Sequence, residues 1–272
     1  MISAAELLDI RRTAHALADA ARAQALALFR TPGLGADNKA AAGFDPVTAA
    51  DRAAEAAMRR ILSQHRPDDA ILGEEYGPQD GRSGLRWVLD PIDGTRAFIS
   101  GAPTWGVLIA LEDGTGPVYG LIDQPYIGER FEGGPGLAEL SGPHGTRALA
   151  TRATADLAQA TLMTTFPEIG TRAEASAFGR VRDRVRLTRY GLDCYAYALL
   201  AMGHVDLVIE AGLQPYDICA PIAVIRAAGG VVTDWQGGPA HGGGQVLAAA
   251  NPALHAQALA LLQNPGPGGQ IG

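Results

Sequence analysis

Three apolar segments of this chain end in acidic residues, and this pattern limits what the chain can fold into. The acidic ends are Gly73-Glu74-Glu75, Asp90-Pro91-Ile92-Asp93-Gly94-Thr95 and Tyr216-Asp217. A carboxylate beside a buried segment is costly unless a cation or hydrogen bonds compensate its charge. The fold must therefore supply such a partner where these segments end.

Helical spacing dominates the first quarter of the chain. Two capping pairs, Ser3 with Glu6 and Thr48 with Asp51, each precede apolar residues at helical spacing, which predicts two long helices. From Ala70 onward the period changes, and short apolar runs separated by Gly, Pro and Asp predict neighbouring strands of one sheet. These runs lie at residues 71–72, 87–89, 107–111 and 118–122.

Strands and helices alternate again after about residue 150, which predicts an α/β fold. The predicted strands lie at 162–165, 205–210 and near 231 and 246, and the predicted helices follow Thr171 and span 193–202 and 217–228. We expect an N-terminal α+β subdomain over residues 1–149 that carries most of the acids. A C-terminal α/β subdomain over 150–263 would carry Asp217, and the Gly- and Pro-rich residues 264–272 would form a disordered tail.

Charge and composition exclude several kinds of partner. The chain has 22 Lys and Arg against 29 Asp and Glu, a net charge of −7, which disfavours nucleic acid and anionic membranes. Uncharged apolar runs such as 105–111 are far shorter than the roughly 20 residues of a membrane helix. The two cysteines, Cys194 and Cys219, lie far apart in the sequence. The first 30 residues mix charges with Ala and Leu, unlike a secretory signal, so we expect reduced thiols in a cytoplasmic protein.

The segment from Asp90 to Thr95 is the most specific of the three. Asp93 is placed to cap a following helix, while the N–H groups of Gly94 and Thr95 would face a bound anion such as phosphate. Carboxylates beside an anion site imply a metal between them. Because these motifs contain oxygen ligands and no His or Cys, Mg²⁺ or Mn²⁺ is favoured over zinc.

The spacing of the residues in this segment excludes two other known motifs. In the haloacid dehalogenase signature Asp-x-Asp-Gly-Thr the first Asp is the nucleophile, and the corresponding position here is Pro91. This favours direct attack by metal-bound water over an aspartyl-phosphate. The EF-hand pattern fails as well, because its acids alternate and its Gly is sixth, whereas Asp90, Asp93 and Gly94 are first, fourth and fifth.

Together, the motifs resemble those of the inositol monophosphatase superfamily of Mg²⁺-dependent phosphatases. The matching segments are Asp45-Pro46-Val47-Thr48 with Asp51, Gly73-Glu74-Glu75, Asp90 to Thr95, and Tyr216-Asp217 leading to Ala228-Gly229-Gly230. The resemblance implies a layered αβαβα sandwich, as in inositol monophosphatases and fructose-1,6-bisphosphatases. It also implies a homodimer and an active site where the segments of Asp90 and Asp217 meet.

The resemblance further implies a set of metal ligands. One metal would bind Glu74, Asp90 and the carbonyl of Ile92, and a second would bind Asp90, Asp93 and Asp217. Two or three Mg²⁺ ions are expected in each site, with Mn²⁺ as a substitute.

Catalytic and substrate-binding roles follow from the same resemblance. Glu74, through a further metal, and Thr95 with Asp51 would orient the attacking water. The N–H groups of Gly94 and Thr95, next to Asp93, would hold the substrate phosphate.

Two more stretches resemble the histidinol-phosphate phosphatases of bacteria and plants: residues 98–106 (FISGAPTWG), and 189–197 (RYGLDCYAY) followed by 203–208. Histidinol phosphate carries an ammonium group and an imidazole, so its pocket needs carboxylates beyond those that hold metal. Asp193 and Glu210 are the candidates. A helix cap is the alternative for Asp193, and a plain acid at a strand end is the alternative for Glu210.

The leading hypothesis is a Mg²⁺-dependent histidinol-phosphate phosphatase of histidine biosynthesis, acting on a small phosphorylated amino alcohol. An inositol monophosphatase, or a related sugar or nucleotide phosphatase acting on a phosphorylated polyol, is the alternative. A third hypothesis is a non-catalytic regulator that binds metal and phosphate. The six histidines are scattered and receive no chemical role, and the roles of Lys39, the only lysine, and Arg189 stay open.

Overall fold

The structure, a computed structural model, describes residues 3–32, 35, 37–38 and 46–264. Lys39 and Asp45 lie outside the described residues, as do residues 265–272 of the expected tail. The expectations for those positions stay predictions.

Two capped helices open the chain, as predicted. In α1 (Ala4–Leu28) the Ser3 side chain accepts from the Glu6 N–H and the Glu6 carboxylate accepts from the Ser3 N–H. Thr48 and Asp51 form the same reciprocal box at the start of α2 (Ala49–His65). Between the helices, β1 (Asp37–Asn38) pairs antiparallel with β2 (Pro46–Val47), a short pairing that the sequence pattern does not predict.

A sheet of eight strands follows, in the order β10-β9-β8-β7-β6-β5-β3-β4 within the described part of the chain. Its pairs are antiparallel except that of β3 with β5, and the helix α3 (Thr95–Ile99) follows β5. The strands are β3 (Ala70–Gly73), β4 (Gly77–Gln79), β5 (Arg86–Asp93), β6 (Gly106–Asp113), β7 (Gly116–Gln124), β8 (Glu129–Gly134), β9 (Leu137–Gly142) and β10 (Gly145–Ala148).

The described residues beyond β10 form a second sheet of five strands, in the order β12-β11-β13-β15-β14. Its strands are β11 (Thr161–Thr164), β12 (Leu187–Tyr190), β13 (Leu207–Leu213), β14 (Val231–Thr233) and β15 (Gly244–Ala249). The helices of this part are α4 (Arg172–Arg182), α5 (Cys194–Ala201), α6 (Pro215–Ala227) and α7 (Pro252–Gln263).

Side-chain alternation along the strands builds the layers. In β5, Trp87 and Leu89 pack with α1 and α2, whereas Val88 faces the opposite way and packs with α5 and α6. The second sheet covers the other side of α5 and α6, and its far face packs against α4 and α7. The layers therefore run helix, sheet, helix, sheet, helix, which confirms the expected αβαβα sandwich.

Helix α6 lies close to the first sheet at two glycines. A Cβ on Gly120 would lie 2.4 Å from the Ala220 carbonyl oxygen, and one on Gly133 would lie 2.4 Å from the Val224 Cα. A side chain at either position would push the helix away. Helix α6 contacts β6, β7 and β8 although it comes from residues 215–227, and the proposed subdomain boundary at residue 149 stays a prediction.

Among the described residues, none of the helices is both long enough and apolar enough to cross a membrane.

Candidate active site

Strand β5 carries two of the predicted acids to one cavity. Residues three apart on a regular strand point to opposite faces. The pairing of β5 with β6 is irregular between Asp90 and Asp93, and both carboxylates reach the same place. Asp90 is buried, and its Oδ1 accepts a hydrogen bond of 3.1 Å from the Ile92 N–H.

Asp217 completes a group that we call the carboxylate cluster: Asp90, Asp93 and Asp217. Each offers a ligand oxygen, and these oxygens lie within 4.8 Å of one another. Asp217 lies in the first turn of α6, where its Oδ2 also accepts from the Gln214 N–H at 2.7 Å. It is therefore both a helix cap and a member of the cluster, which joins the two halves of the chain.

The acids of the cluster repel one another. Burial raises the pKa of Asp90 well above its usual range, and the negative charges of Glu74 and the other cluster members raise it further. Burial likewise raises the pKa of Asp93, with further contributions from the charges of Asp193 and Asp217. A divalent cation would relieve this repulsion, and oxygen donors of this kind suit Mg²⁺ or Mn²⁺. The residues present therefore fit such a metal.

Glu74 lies beside the cluster because β3 and β5 are parallel neighbours, and Gly73, the last residue of β3, pairs with Leu89, next to Asp90. Its backbone N–H donates to the Leu89 carbonyl at 3.2 Å, and its side chain hydrogen-bonds to Asp90. The cluster and Glu74 line a cavity of about 400 Å³, here called the carboxylate cavity. Its other lining residues are Ile92, Gly94, Thr95, Arg96, Gly212, Gln214 and Tyr216.

Thr95 and Asp51 meet at the edge of the carboxylate cavity. The Thr95 Oγ1 lies 3.4 Å from the Asp51 Oδ1 and 3.2 Å from the Ile92 carbonyl oxygen. The other oxygen of Asp51, Oδ2, accepts from the N–H and the hydroxyl of Thr48 at 2.9 and 2.5 Å. Asp51 therefore caps α2 with one oxygen and faces Thr95 with the other.

The helix caps differ from the predicted ones. Asp93 does not cap the helix that follows it, because Gly94, with a φ of 85°, is the N-cap of α3. The Asp93 Oδ2 instead accepts from the Cys194 N–H at 2.6 Å, across the molecule at the start of α5. The alternative for Asp193 is also wrong, since its side chain makes no cap hydrogen bond to α5.

Asp193 lies against the turn of Gly94. A Cβ on Gly94 would come within 2.8 Å of the Asp193 carboxylate, so this approach requires a glycine as well as the left-handed backbone. Burial raises the pKa of Asp193 to about 6, although the charge of Arg96 opposes the rise. The carboxylate therefore lies beside the predicted phosphate-binding turn.

Glu210 lines a second cavity, here called the side pocket, of about 220 Å³. Its Oε1 accepts from the N–H and the hydroxyl of Thr165 at 2.6 and 2.9 Å, and its Oε2 accepts from the Thr164 hydroxyl at 3.1 Å. Burial raises the pKa of Glu210 to about 7 despite these hydrogen bonds. The side pocket also contains Asp193, and it shares Asp93, Gly212 and Asp217 with the carboxylate cavity.

Glu55 is a residue of the site that the sequence reasoning missed. It is fully buried on α2, and its carboxylate accepts from the Glu75 N–H at 2.6 Å and from the Arg59 Nε at 2.7 Å. A Cβ on Gly73 would clash with this carboxylate, so the turn that carries Glu74 is packed directly onto Glu55. The available signal is a second acid one helical turn after Asp51, which on most helices marks a solvated face.

Arg189, whose role stays open, is exposed on β12 at the edge of the second sheet.

Known proteins share this architecture. The chain matches the model of the inositol monophosphatase family over residues 6–265. It is 36% identical over 269 residues to a histidinol-phosphatase of Streptomyces coelicolor, covering 94% of this chain and 98% of that protein. It is 49% identical over 197 residues to the bifunctional phosphatase IMPL2, chloroplastic, of Arabidopsis thaliana, which is 71% of this chain and only 56% of that protein.

Among solved structures, an inositol monophosphatase from Zymomonas mobilis superposes with a TM-score of 0.84 at 42% identity, covering 96% of this chain and 100% of that one. The fold, the carboxylate cluster and these matches define a phosphatase of the kind that acts on small phosphorylated molecules. The chain belongs to the inositol monophosphatase family. Members of this family are generally metal-dependent, in agreement with the cluster of acids.

Proposed function

We propose that the protein is a histidinol-phosphate phosphatase, hydrolysing L-histidinol phosphate to L-histidinol and phosphate in histidine biosynthesis. The side pocket carries this proposal, because it adds the carboxylates Asp193 and Glu210 next to the carboxylate cluster. Histidinol offers an ammonium group and an imidazole to such carboxylates, whereas inositol offers only hydroxyl groups. The Streptomyces relative that bears this name supports the same choice.

The two cavities suit the two ends of such an ester. They share Asp93, Gly212 and Asp217, so they adjoin at the cluster. We place the phosphate in the carboxylate cavity, against the N–H groups of Gly94 and Thr95, with Asp93 beside it. The amino alcohol would extend into the side pocket.

The proposed metal ligands are Glu74, Asp90, the Ile92 carbonyl, Asp93 and Asp217, for two or three Mg²⁺ ions or their Mn²⁺ substitutes. When bound, these ions would supply an activated water and stabilise the departing alkoxide.

Thr95 and Asp51 would orient the attacking water. A threonine hydroxyl has one proton to donate and lone pairs that accept. When the Thr95 hydroxyl donates to the Asp51 Oδ1, its oxygen is left to accept a proton of the water. Thr48 holds Asp51 in place through the other carboxylate oxygen, which keeps the acceptor aimed at Thr95.

A turnover panel tests the proposed function. Histidinol phosphate, inositol 1-phosphate and fructose 1,6-bisphosphate are assayed with Mg²⁺ and with EDTA. We expect kcat/KM for histidinol phosphate to exceed the others by about 100-fold, because leaving buried charges without their partner costs about 2–5 kcal/mol. Comparable rates on inositol 1-phosphate would favour the polyol phosphatase instead. If none of the three esters released phosphate in a Mg²⁺-dependent way, the result would contradict the proposed function and favour the non-catalytic regulator.

A further inference from the structure

We propose that Tyr197 determines specificity in the side pocket: its hydroxyl donates a hydrogen bond to one imidazole nitrogen of the substrate, while Glu210 accepts from the N–H of the other. This inference rests on the proposed function, because it names the groups that recognise the ring of histidinol phosphate.

The first observation is an unpaired hydroxyl. Tyr197 lies on α5, is only 3% exposed and lines the side pocket. Its Oη has no hydrogen-bond partner within the part of the chain that the structure describes. Buried hydroxyls are nearly always paired, so an unpaired one on a residue that lines a cavity points to a partner in the ligand. Burial raises the pKa of Tyr197 well above its usual value, so the hydroxyl keeps its proton and is a donor.

The second observation is that the Glu210 carboxylate can accept one more hydrogen bond. A carboxylate oxygen accepts about two hydrogen bonds. Within the described chain, the Glu210 Oε1 accepts two from Thr165, and Oε2 accepts only one, from Thr164. The remaining place on Oε2 suits a ligand N–H. Because the existing bonds hold the carboxylate rigid, it presents this place in one orientation.

The pocket therefore pairs a buried donor with a buried acceptor. A neutral imidazole has one N–H and one acceptor nitrogen, which is the complementary pair. The side pocket also has apolar walls, among them Phe166, Ala211 and Leu213, which suit a flat ring better than the hydroxyl-bearing ring of a polyol. The Arg96 guanidinium lies 5.0 Å from the centroid of the Phe166 ring and helps to hold that wall.

Asp193 is left for the ammonium group. In histidinol phosphate the ammonium group is closer to the phosphate than the imidazole is. Asp193 lies against Gly94, in the turn where the phosphate is placed. We therefore place the ammonium group at Asp193 and the imidazole at Glu210 and Tyr197, in the order in which these groups follow the phosphate along the substrate.

The variant Y197F removes the hydroxyl and keeps the ring. Its matched control is Y195F on the same helix, because the Tyr195 Oη donates to the Glu129 Oε2 at 2.6 Å and Tyr195 does not line the side pocket. The kcat and KM of both variants are measured with histidinol phosphate, with O-phosphoethanolamine, which has the ammonium group but no ring, and with inositol 1-phosphate.

For Y197F we expect the KM of histidinol phosphate to rise about tenfold with kcat within about twofold, the loss of one buried hydrogen bond. The KM values of the other two esters should not change, and Y195F should leave all three unchanged. The melting temperature of Y197F should not fall, because the hydroxyl bonds to nothing in the described protein, whereas that of Y195F should fall.

An equal rise in KM for all three esters, an unchanged KM for histidinol phosphate, or a lowered melting temperature of Y197F would each overturn the role of Tyr197. The failure of the proposed function looks different. In that case the wild-type protein already lacks a preference for histidinol phosphate, before any variant is compared.

Discussion

Asp193 illustrates how a single residue is assigned by its surroundings. By sequence it stands at the start of a helix, where an aspartate usually caps the first turn. Its backbone has a φ of 46°, and the cap of α5 comes from Asp93 instead. The Asp193 carboxylate is thereby turned toward Gly94 and the side pocket.

Asp193→Asn keeps the shape of the side chain and removes its charge. We expect the KM of histidinol phosphate to rise at least about 30-fold, since the loss of one partner of a buried charge pair costs about 2 kcal/mol or more. The KM of inositol 1-phosphate should change by less than about twofold. Steady-state kinetics at pH 8 measure both, and Asp183→Asn, an exposed aspartate that pairs with Arg182, is the control. Equal effects on both esters would contradict the role of Asp193.

The residues that the sequence identifies are those with sharp local patterns. The motif of Asp90 and Asp93, and the acid of Asp217 at a helix start, predict a cluster that the structure brings together. Glu55 and Tyr197 lack such a pattern, because an acid on a helix and an aromatic residue in an apolar helix both look ordinary in sequence. Their position against Gly73 and in the side pocket depends on tertiary contacts.

At the scale of elements, helix α2 packs against the loops that carry the site residues. Its buried face carries Asp51, which faces Thr95, and Glu55, which holds the turn of Glu74. The helix thereby fixes two separate loops relative to each other. A change on this face should alter metal binding without touching the metal ligands.

Glu55→Gln tests this positioning role. We expect the Mg²⁺ concentration for half-maximal activity to rise about tenfold or more, because outer partners of metal ligands typically change metal affinity 10- to 100-fold. Glu132→Gln is a matched control, since Glu132 is also a buried, hydrogen-bonded glutamate but lies on β8. Both variants should lose stability. A similar Mg²⁺ requirement in both would show that Glu55 is only structural.

Glu132 itself joins β8 to helix α1. Its carboxylate accepts from the Arg11 Nη2 at 2.8 Å and from the Tyr119 hydroxyl at 2.7 Å, and lies 2.9 Å from the His15 Nε2. Although burial opposes the change, the contacts with His15, Arg11 and Tyr119 lower the pKa of Glu132 from its ordinary 4.5 to about 2.

The sign of the pH dependence follows from this lowered pKa. A carboxylate with a lower pKa in the folded state stabilises the protein above its unfolded pKa, and this stabilisation is lost as the pH falls through the folded pKa. The difference in unfolding free energy between wild type and Glu132→Gln should shrink by roughly 3 kcal/mol as the pH falls from about 5 to 2. Urea unfolding at several pH values measures it. A difference that does not depend on pH would contradict the ion pair.

Elements were predicted where their ends carry specific residues. Helices α1 and α2 begin with complete capping boxes, and both starts are predicted correctly. The sequence pattern does not predict strands β8, β9 and β10, because Glu and Gly residues interrupt their alternation. Helix α7 was missed although Asn251 and Pro252 mark its start, with the Asn251 side chain accepting from the Leu254 N–H.

At the scale of the whole molecule, the carboxylate cluster lies where the two halves of the chain meet. Asp90 and Asp93 come from the first sheet, and Asp217 comes from the helix that packs between the sheets. The alternation of strands and helices predicts the layers, but only the tertiary structure shows that α6 packs against the first sheet. The cytoplasmic location and the homodimer stay predictions.

This arrangement predicts how metal affects the stability of the whole protein. Without metal, the acids of the cluster repel one another; with Mg²⁺ at about 100 times its Kd, the folded state gains about 2.7 kcal/mol. For a chain of this size that corresponds to a rise in melting temperature of roughly 5 °C. Thermal unfolding with Mg²⁺ and with EDTA measures it in the wild type.

In Asp90→Asn the same measurement should show almost no rise with Mg²⁺, because the variant lacks the proposed shared ligand, and turnover should be lost as well. With EDTA, however, this variant should be at least as stable as the wild type, since it removes a carboxyl group whose pKa is raised by burial and by its acidic neighbours. Asp183→Asn should keep the full rise. If Asp90→Asn were less stable than the wild type in EDTA, Asp90 would serve the fold and not the metal, and the cluster would lose its role as a cation site.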